Sequence, residues 1–147
     1  KSNQNLVHAC TDVTGFGLIG HLGEMIKTTN MRRLKAKLPL IKVDIFGEEI
    51  PTLSGAKTLL EKGYESTLAP ANKIFLNLLN SKKSYSAYIS LISKNGGLAN
   101  SEVELVKKLL VDPQTCGPLL IACDSDVAKG LVKDSSWHRI GLVDFAK

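Results

Sequence analysis

The chain has 147 residues, of which 44% are hydrophobic and 22% are charged, and its formal net charge is +5. This composition predicts one globular domain, or one part of a larger protein, and excludes a disordered or collagen-like chain. No apolar run approaches the roughly 18 residues of a membrane-spanning helix, so we expect no integral membrane protein.

The charge and the aromatic content limit the partners that the sequence predicts. A pI of about 9.1 suits anionic ligands such as phosphates, but it is too modest to indicate nucleic-acid binding. Aromatic residues make up only 5% of the chain, which leaves few rings for stacking on single strands. We therefore expect no nucleic-acid partner.

The cysteines and the first residue suggest the cellular compartment of the chain and its relation to a longer protein. Cys10, Cys116 and Cys123 are odd in number and form no CxxC pair, which favours neither a disulfide framework nor a zinc site. A reducing, cytoplasmic compartment is the simplest expectation. The chain begins with Lys1 and shows no signal-peptide pattern, so we also expect a domain cut from a longer protein.

The first elements along the chain are a predicted strand and a predicted helix. Residues 6–11 are apolar without clean alternation, which is typical of a strand buried on both faces. An apolar stripe then recurs at three- and four-residue steps and predicts an amphipathic helix over residues 17–28. Residues 32–37 alternate basic and apolar side chains, which predicts a half-exposed strand.

The middle of the chain is harder to assign. Pro51 opens a predicted helix over residues 53–62, which Gly63 closes at its C-terminal end. A loop is expected over residues 64–72. Residues 73–79 and 88–92 are each apolar enough for a strand or a short helix, and the two alternatives stay open.

The last third of the chain alternates helices and strands. Ser101 and Glu104 have the spacing of a capping box, which predicts a helix ending near Val111. After a tight turn, a buried strand is expected over residues 119–123. A helix over 126–133, capped by Asp124 or Ser125, and a strand over 137–143 complete the chain. The interleaved elements predict an α/β or α+β fold with one mixed sheet.

The segment from Asp12 onward carries the predicted chemistry. A carboxylate stands at the end of a strand, a Gly-x-Gly turn follows at Gly15 and Gly17, and a helix then begins. Free N–H groups at a helix N-terminus attract phosphates, but Asp12 would repel them unless a cation lies between. Mg²⁺ is held by one or two carboxylates and by phosphate oxygens. We therefore predict that Asp12 binds Mg²⁺ and that Thr14, Gly15, Phe16 and Gly17 face phosphates.

Structural alternatives to these roles remain open. Asp12 or Thr14 could instead cap the helix, because both residue types are common N-caps. Interior glycines at positions 20 and 23 indicate close packing, with a sheet as the expected neighbour. His21 lies opposite the apolar stripe and is expected to be a surface or hydrogen-bonded histidine, whereas His8 is expected to be a core histidine.

Two motifs resemble one enzyme family, the selenophosphate synthetases, also called selenide, water dikinases. The first motif is HACTDVTGFGLIGHL at residues 8–22, and the second is DPQTCGPLLIA at residues 112–122. Weaker likeness covers residues 51–63, Asn72 and residues 140–141. Cys116 and Pro118 depart from the family pattern, which usually has serine and glycine at these two positions.

The resemblance implies the role of the chain. Residues 1–147 would be a single C-terminal domain of a two-domain enzyme that makes selenophosphate, AMP and orthophosphate from ATP, selenide and water. The ATP-binding, catalytic N-terminal half would be absent, so no catalytic residue is assigned here and the isolated chain is expected to be inactive. Asp12 matches the Mg²⁺ ligand that the C-terminal half of the family supplies.

The resemblance also implies fold and assembly. The fold would be an α/β sandwich, partly ferredoxin-like, as in the C-terminal domain of aminoimidazole ribonucleotide synthetase, and the full-length protein would be a homodimer. The N-terminal half would then be the immediate partner of this domain. Two other functions stay open, namely a non-catalytic protein-docking module and a related ATP-dependent synthetase with another substrate.

Overall fold

The computed structural model describes residues 6–79, 88–94, 96–114, 117–134 and 136–146. Within these ranges the strands are β1 (Val7–Asp12), β2 (Ile41–Phe46), β3 (Tyr88–Ile92), β4 (Leu119–Cys123) and β5 (Gly141–Phe145). The α-helices are α1 (Gly17–Lys35), α2 (Ala56–Glu61), α3 (Ala69–Asn72), α4 (Asn100–Val111) and α5 (Ser125–Leu131). Two 3₁₀ segments, Gly47–Glu49 and Lys73–Leu78, complete the regular structure.

The described strands form two separate sheets. Strands β1 and β4 pair antiparallel, and Asp12 lies opposite Leu119. The other sheet has the order β3-β2-β5, with β2 parallel to β3 and antiparallel to β5. The predicted mixture of helices and sheets is therefore confirmed, but the prediction of a single mixed sheet is wrong, because β1 and β4 pair with each other apart from the other three strands.

The core lies between helix α1, helix α4 and the three-stranded sheet. Its most buried side chains are Ile19, Ile45, Ile89 and Leu110, none more than 1% exposed. Burying a side chain of this size stabilises a fold by about 1.5–3 kcal/mol. The core therefore fixes α1 against α4, which matters because the candidate site lies at the first turn of α1.

Strand β1 is not buried on both faces, as its apolar sequence predicted. Val7 is 46% exposed, and His8 is a half-exposed residue that reaches Asp124 at 2.7 Å rather than a core histidine. A bulge between Val7 and Ala9 shifts the strand register. Such a bulge breaks the alternation of side chains, and this explains why the sequence pattern was misleading. The partner strand β4 is also partly exposed rather than buried.

The basic segment at residues 32–37 forms the last turn of α1 and the turn that follows it, so the predicted strand there is wrong. Helix α1 runs past the predicted end at position 28 and stops at Lys35. Lys37 then adopts a left-handed conformation with φ of 55°. Its N–H donates to Leu34, and the N–H of Leu38 donates to Arg33. This Schellman arrangement normally has glycine at the left-handed position, so the sequence lacked the usual stop signal.

Of the remaining helix and strand predictions, some are confirmed and others are wrong. Gly63 closes α2 as predicted, because its N–H donates to Leu60 and the next N–H donates to Leu59. Helix α4 begins earlier than expected, since the N–H of Ala99 donates to the Glu102 carboxylate at 2.8 Å and the predicted Ser101 cap is not used. Strand β2 was missed. None of the helices in the described ranges is long and apolar enough to cross a membrane.

The structure distinguishes between strand and helix in the two segments for which the sequence allowed both. The segment at 73–78 is a 3₁₀ helix, and 88–92 is a strand. Helix α3 falls inside the predicted loop at 64–72. Asp124 precedes α5 at the N-cap, but its side chain makes no cap bond, since it contacts His8 instead. The last strand begins at Gly141 rather than at position 137.

Candidate functional site

The Asp12 side chain is exposed at the end of β1. Its main chain takes part in the pairing with β4, opposite Leu119, and its carbonyl accepts a bond from the Thr11 hydroxyl at 3.1 Å. Among the described residues, no hydrogen bond or ion pair involves the Asp12 carboxylate. The carboxylate is therefore free, within that part of the chain, to contact a ligand from solvent.

Backbone hydrogen bonds fix the loop after Asp12. The N–H of Val13 donates to the carbonyl of Pro118 at 2.9 Å, and the N–H of Gly17 donates to the carbonyl of Thr14 at 3.1 Å. The same Thr14 carbonyl also accepts the N–H of Gln114 at 3.0 Å. The fold thus brings the two sequence motifs, almost a hundred residues apart along the chain, into direct contact.

Pro118 takes part in this contact in spite of departing from the family pattern. Its carbonyl accepts the bond from Val13, whereas a proline nitrogen cannot return one. The strand pairing therefore continues past Asp12 by a single bond. The other departure, Cys116, lies outside the described residues.

Helix α1 begins without a side-chain cap. Its N-cap residue is Phe16, which makes no side-chain cap bond, and no acidic residue lies in the first turn. The alternative that Asp12 or Thr14 caps the helix is therefore wrong. The first N–H groups of a helix have no partner within the helix, so the start of α1 keeps its positive end uncompensated by any of its own side chains.

The two glycines of the turn have different structural roles. Gly17 has φ of +68°, and a Cβ there would lie 2.7 Å from the carbonyl oxygen of Leu110 and 3.0 Å from that of Asp112. The fold therefore requires glycine at position 17. A Cβ at Gly15 would meet nothing within 4 Å, so packing does not explain glycine at position 15.

The interior glycines of α1 pack against side chains, not against a sheet as expected. A Cβ at Gly20 would touch Phe16 and the ring of Phe75, and a Cβ at Gly23 would collide with Leu78. Phe75 and Leu78 belong to the 3₁₀ segment Lys73–Leu78. The prediction of close packing at these glycines is therefore confirmed, but the neighbour is this segment.

His21 is hydrogen-bonded, in line with one of the two expectations, and it is buried rather than at the surface. Its Nε2 atom lies 3.2 Å from the Thr14 hydroxyl, and its Nδ1 atom lies 3.7 Å from the Glu24 carboxylate. The Phe16 ring lies 5.5 Å away, centroid to centroid. His21 thus fixes the position of the Thr14 side chain through this hydrogen bond.

Residues that the sequence did not assign also reach this loop. Asn72, only 5% exposed, donates from its amide nitrogen to the carbonyls of Gly15 at 2.8 Å and Val111 at 3.0 Å. Gln114 donates to the Asp112 carboxylate at 3.4 Å. The only sequence signal for Asn72 was its weak family likeness, because both bonds join residues distant along the chain.

The Asp112 carboxyl has a perturbed acidity. Partial burial raises its pKa, the nearby Glu65 carboxylate adds to the rise, and the bond from Gln114 opposes it. No group of three or more His, Cys, Asp or Glu side chains that could hold a metal ion occurs in the described part of the chain. The described residues therefore form no complete metal site with Asp12.

Comparison with known proteins gives a consistent family. The model for "AIR synthase related protein, C-terminal domain" matches residues 1–141. Selenide, water dikinase of Pasteurella multocida is 32% identical over 141 residues, which are 96% of this chain and 32% of that protein. The enzyme of the same name from Pseudomonas straminea is 36% identical over 121 residues, 82% of this chain and 27% of its own.

A third relative extends the agreement. Selenide, water dikinase of Clostridioides difficile is 30% identical over 128 residues, 87% of this chain and 29% of that protein. The chain thus spans about a third of the length of these relatives. The family match covers nearly the whole chain, and it includes both motifs of the candidate site. The chain therefore belongs to the family described as "AIR synthase related protein, C-terminal domain".

Proposed function

We propose that this domain is the C-terminal part of a selenide, water dikinase, which makes selenophosphate, AMP and orthophosphate from ATP, selenide and water. The proposal is supported by the shared name of the relatives and by their similarity over most of this chain. Because the chain spans about a third of those proteins, its part in the reaction is to complete a site whose remaining groups come from an N-terminal half.

One observation carries the proposed role of Asp12. Its carboxylate is exposed at the end of β1, and no described residue neutralises it or bonds to it. An oxygen ligand of this kind fits Mg²⁺, which takes one or two carboxylates together with phosphate oxygens. When bound, the ion neutralises phosphate charge. Asp12 would hold the ion, and the positive end of α1 would face the phosphates from the adjacent loop.

The loop residues support this arrangement. Gly15 has open space where a side chain would lie, although the fold does not require glycine there. A ligand can therefore approach the backbone at this point. In the proposal Thr14, Gly15, Phe16 and Gly17 line the phosphate side of the site, while Asp12 supplies the metal ligand.

The proposed setting is the seam between two halves of one protein. A single carboxylate cannot hold the strongly hydrated Mg²⁺ ion tightly, so the domain would depend on carboxylates of the N-terminal half. The full-length protein is proposed to be a cytoplasmic homodimer. The isolated 147 residues are proposed to bind nucleotide weakly and to form no AMP.

Asp12→Ala in the complete synthetase tests the proposal. We expect selenide-dependent AMP formation to fall at least 100-fold, on the order of the loss when one preorganised charge-stabilising group is removed. Circular dichroism and the unfolding midpoint should stay at the parental values, because the side chain has no described partner to lose. The matched control is Asp126→Ala, which removes an exposed carboxylate whose one partner in the described part of the chain is Lys129.

Three results would contradict the proposal. Parental turnover and parental Mg²⁺ dependence in Asp12→Ala would remove the role of Asp12. AMP formation that does not depend on selenide, but on another acceptor, would instead favour a related synthetase with another substrate. AMP formation by the isolated chain would show that the N-terminal half is not needed.

A further inference from the structure

The Asn72 side chain connects the candidate site to the end of α4. Its amide nitrogen donates to the carbonyl of Gly15 at 2.8 Å and to the carbonyl of Val111 at 3.0 Å. An asparagine amide has two hydrogens, so both are used in these two bonds. The side chain is 5% exposed, and solvent therefore cannot replace either bond without opening the packing.

Each of the two acceptors has a reason to need this donor. Val111 is the last residue of α4, and the final carbonyls of a helix have no partner within it. The Gly15 carbonyl belongs to the loop between Asp12 and α1. Asn72 thus satisfies a buried helix end and, through the same group, fixes the middle of the loop.

The surrounding packing makes the position of this loop depend on α4. A Cβ at Gly17 would clash with the carbonyls of Leu110 and Asp112, so the backbone of the first turn of α1 already lies against the end of α4. This contact only prevents closer approach. The bond from the Gln114 N–H holds the Thr14 carbonyl, and the bonds of Asn72 add an attraction at Gly15, the next residue of the loop.

We propose that Asn72 is a positioning residue that holds the Gly15 carbonyl, and with it the loop from Asp12 to Gly17, in the orientation that binds the phosphates and metal ion. The inference rests on the proposed function of that loop. Asn72 touches neither ligand in this proposal. It acts through the backbone, by preventing the Gly15 peptide from turning its carbonyl toward the negatively charged ligand.

Asn30 provides a matched control within the same molecule. It is 1% exposed, and its side chain bonds to both the N–H and the carbonyl of Ile41, at 2.8 Å and 2.9 Å. It lies 13 residues beyond Gly17 on α1, or about 20 Å along the helix axis at 1.5 Å per residue. Asn30 therefore has a comparable role in the fold at a distance from the loop.

The experiment compares Asn72→Ala with Asn30→Ala in the complete synthetase. For each variant, the unfolding midpoint is measured, together with KM for Mg·ATP and the Mg²⁺ concentration that gives half-maximal rate. We expect both variants to unfold at lower temperature. Only Asn72→Ala should raise KM and the Mg²⁺ requirement, by about 10- to 100-fold, as for groups that orient metal ligands.

A second variant keeps the test decisive where alanine prevents folding. Asn72→Ser retains one hydroxyl donor. We expect it to raise KM for Mg·ATP above the parental value, and by less than Asn72→Ala does where the alanine variant folds. Parental KM and Mg²⁺ dependence in a folded Asn72 variant, with a lowered unfolding midpoint alone, would overturn the inference and leave Asn72 a residue of the fold only.

Asp12→Asn, measured in parallel, separates this inference from the function on which it rests. If Asp12→Asn raises the Mg²⁺ requirement and the Asn72 variants do not, the positioning role fails and the proposed function stands. If Asp12→Asn itself behaves as the parent, the proposed metal site fails, and the inference about Asn72 fails with it.

Discussion

The two ends of α1 are completed in different ways. At the C-terminal end, the N–H groups of Ala36, Lys37 and Leu38 turn back onto the last helical carbonyls. Basic side chains in the last turn, Arg32, Arg33 and Lys35, further compensate the negative end of the helix dipole. The chain therefore satisfies this end by itself.

The N-terminal end has no comparable closure. No side chain caps it, no acidic residue lies in its first turn, and the nearby Asp12 carboxylate has no described partner. The loop is nevertheless well held, because the carbonyls of Thr14 and Gly15 accept bonds from Gln114 and Asn72. A rigid loop with unsatisfied groups in front of it is the arrangement expected of a binding site.

This difference separates stability from function along one helix. Changes at the C-terminal end should alter only the free energy of unfolding, since no candidate ligand group lies there. Changes at the N-terminal end should alter ligand binding. They should also alter stability where the changed atom faces α4, but not where it faces solvent.

The largest effect on the fold is expected for Gly17→Ala. A left-handed backbone costs a residue with a side chain about 1–3 kcal/mol, and the Cβ would also collide with the Leu110 carbonyl. We expect the free energy of unfolding in urea to fall by at least that amount and AMP formation to fall with it. Parental stability in this variant would show that α1 and α4 are not in contact as described.

Gly15→Ala should give the opposite combination, with a smaller effect. The added Cβ meets no atom within 4 Å and makes the unfolded chain less flexible, so the urea midpoint should not fall. It would, however, occupy space through which a phosphate reaches the backbone. We expect KM for ATP in the complete synthetase to rise about tenfold, equivalent to about 1.4 kcal/mol. An unchanged KM would exclude close approach of nucleotide at Gly15.

The smallest effect is expected at the C-terminal end, for Lys37→Gly. Lys37 has a positive φ of 55°, which glycine adopts without steric cost. After the greater flexibility of glycine in the unfolded chain is subtracted, we expect a gain in unfolding free energy of about 0.5–1 kcal/mol. Turnover and Mg²⁺ dependence should stay parental. Any shift in Mg²⁺ dependence would contradict the separation between the two ends.

The same contrast explains what could be predicted from the sequence. The start of α1 was found because its signals are local, namely a strand followed by glycines and an apolar stripe. Its end was missed because lysine, not glycine, occupies the left-handed position. Strand β2 was not predicted, although its sequence alternates apolar and charged residues as a half-buried strand does, with Ile41, Val43 and Ile45 between Lys42 and Asp44.

The candidate site was only partly readable for a related reason. Asp12 and its loop are contiguous in sequence, so their chemistry could be proposed from neighbouring residues. Asn72 bonds to Gly15 across 57 positions and to Val111 across 39, and no local pattern reports such contacts. The packing at Gly20 and Gly23 likewise depends on the 3₁₀ segment Lys73–Leu78, for which the sequence left a strand and a short helix open.

Counting bound metal ions tests the central claim most directly. Mn²⁺, which replaces Mg²⁺ at oxygen-rich sites, is titrated into the complete synthetase with ATP, and the free ion is followed by electron paramagnetic resonance. We predict that Asp12→Asn loses one bound Mn²⁺ per protomer, or binds it at least tenfold more weakly, whereas Asp126→Asn binds as the parent does. Equal number and affinity in Asp12→Asn and the parent would contradict the assignment of Asp12 as a metal ligand.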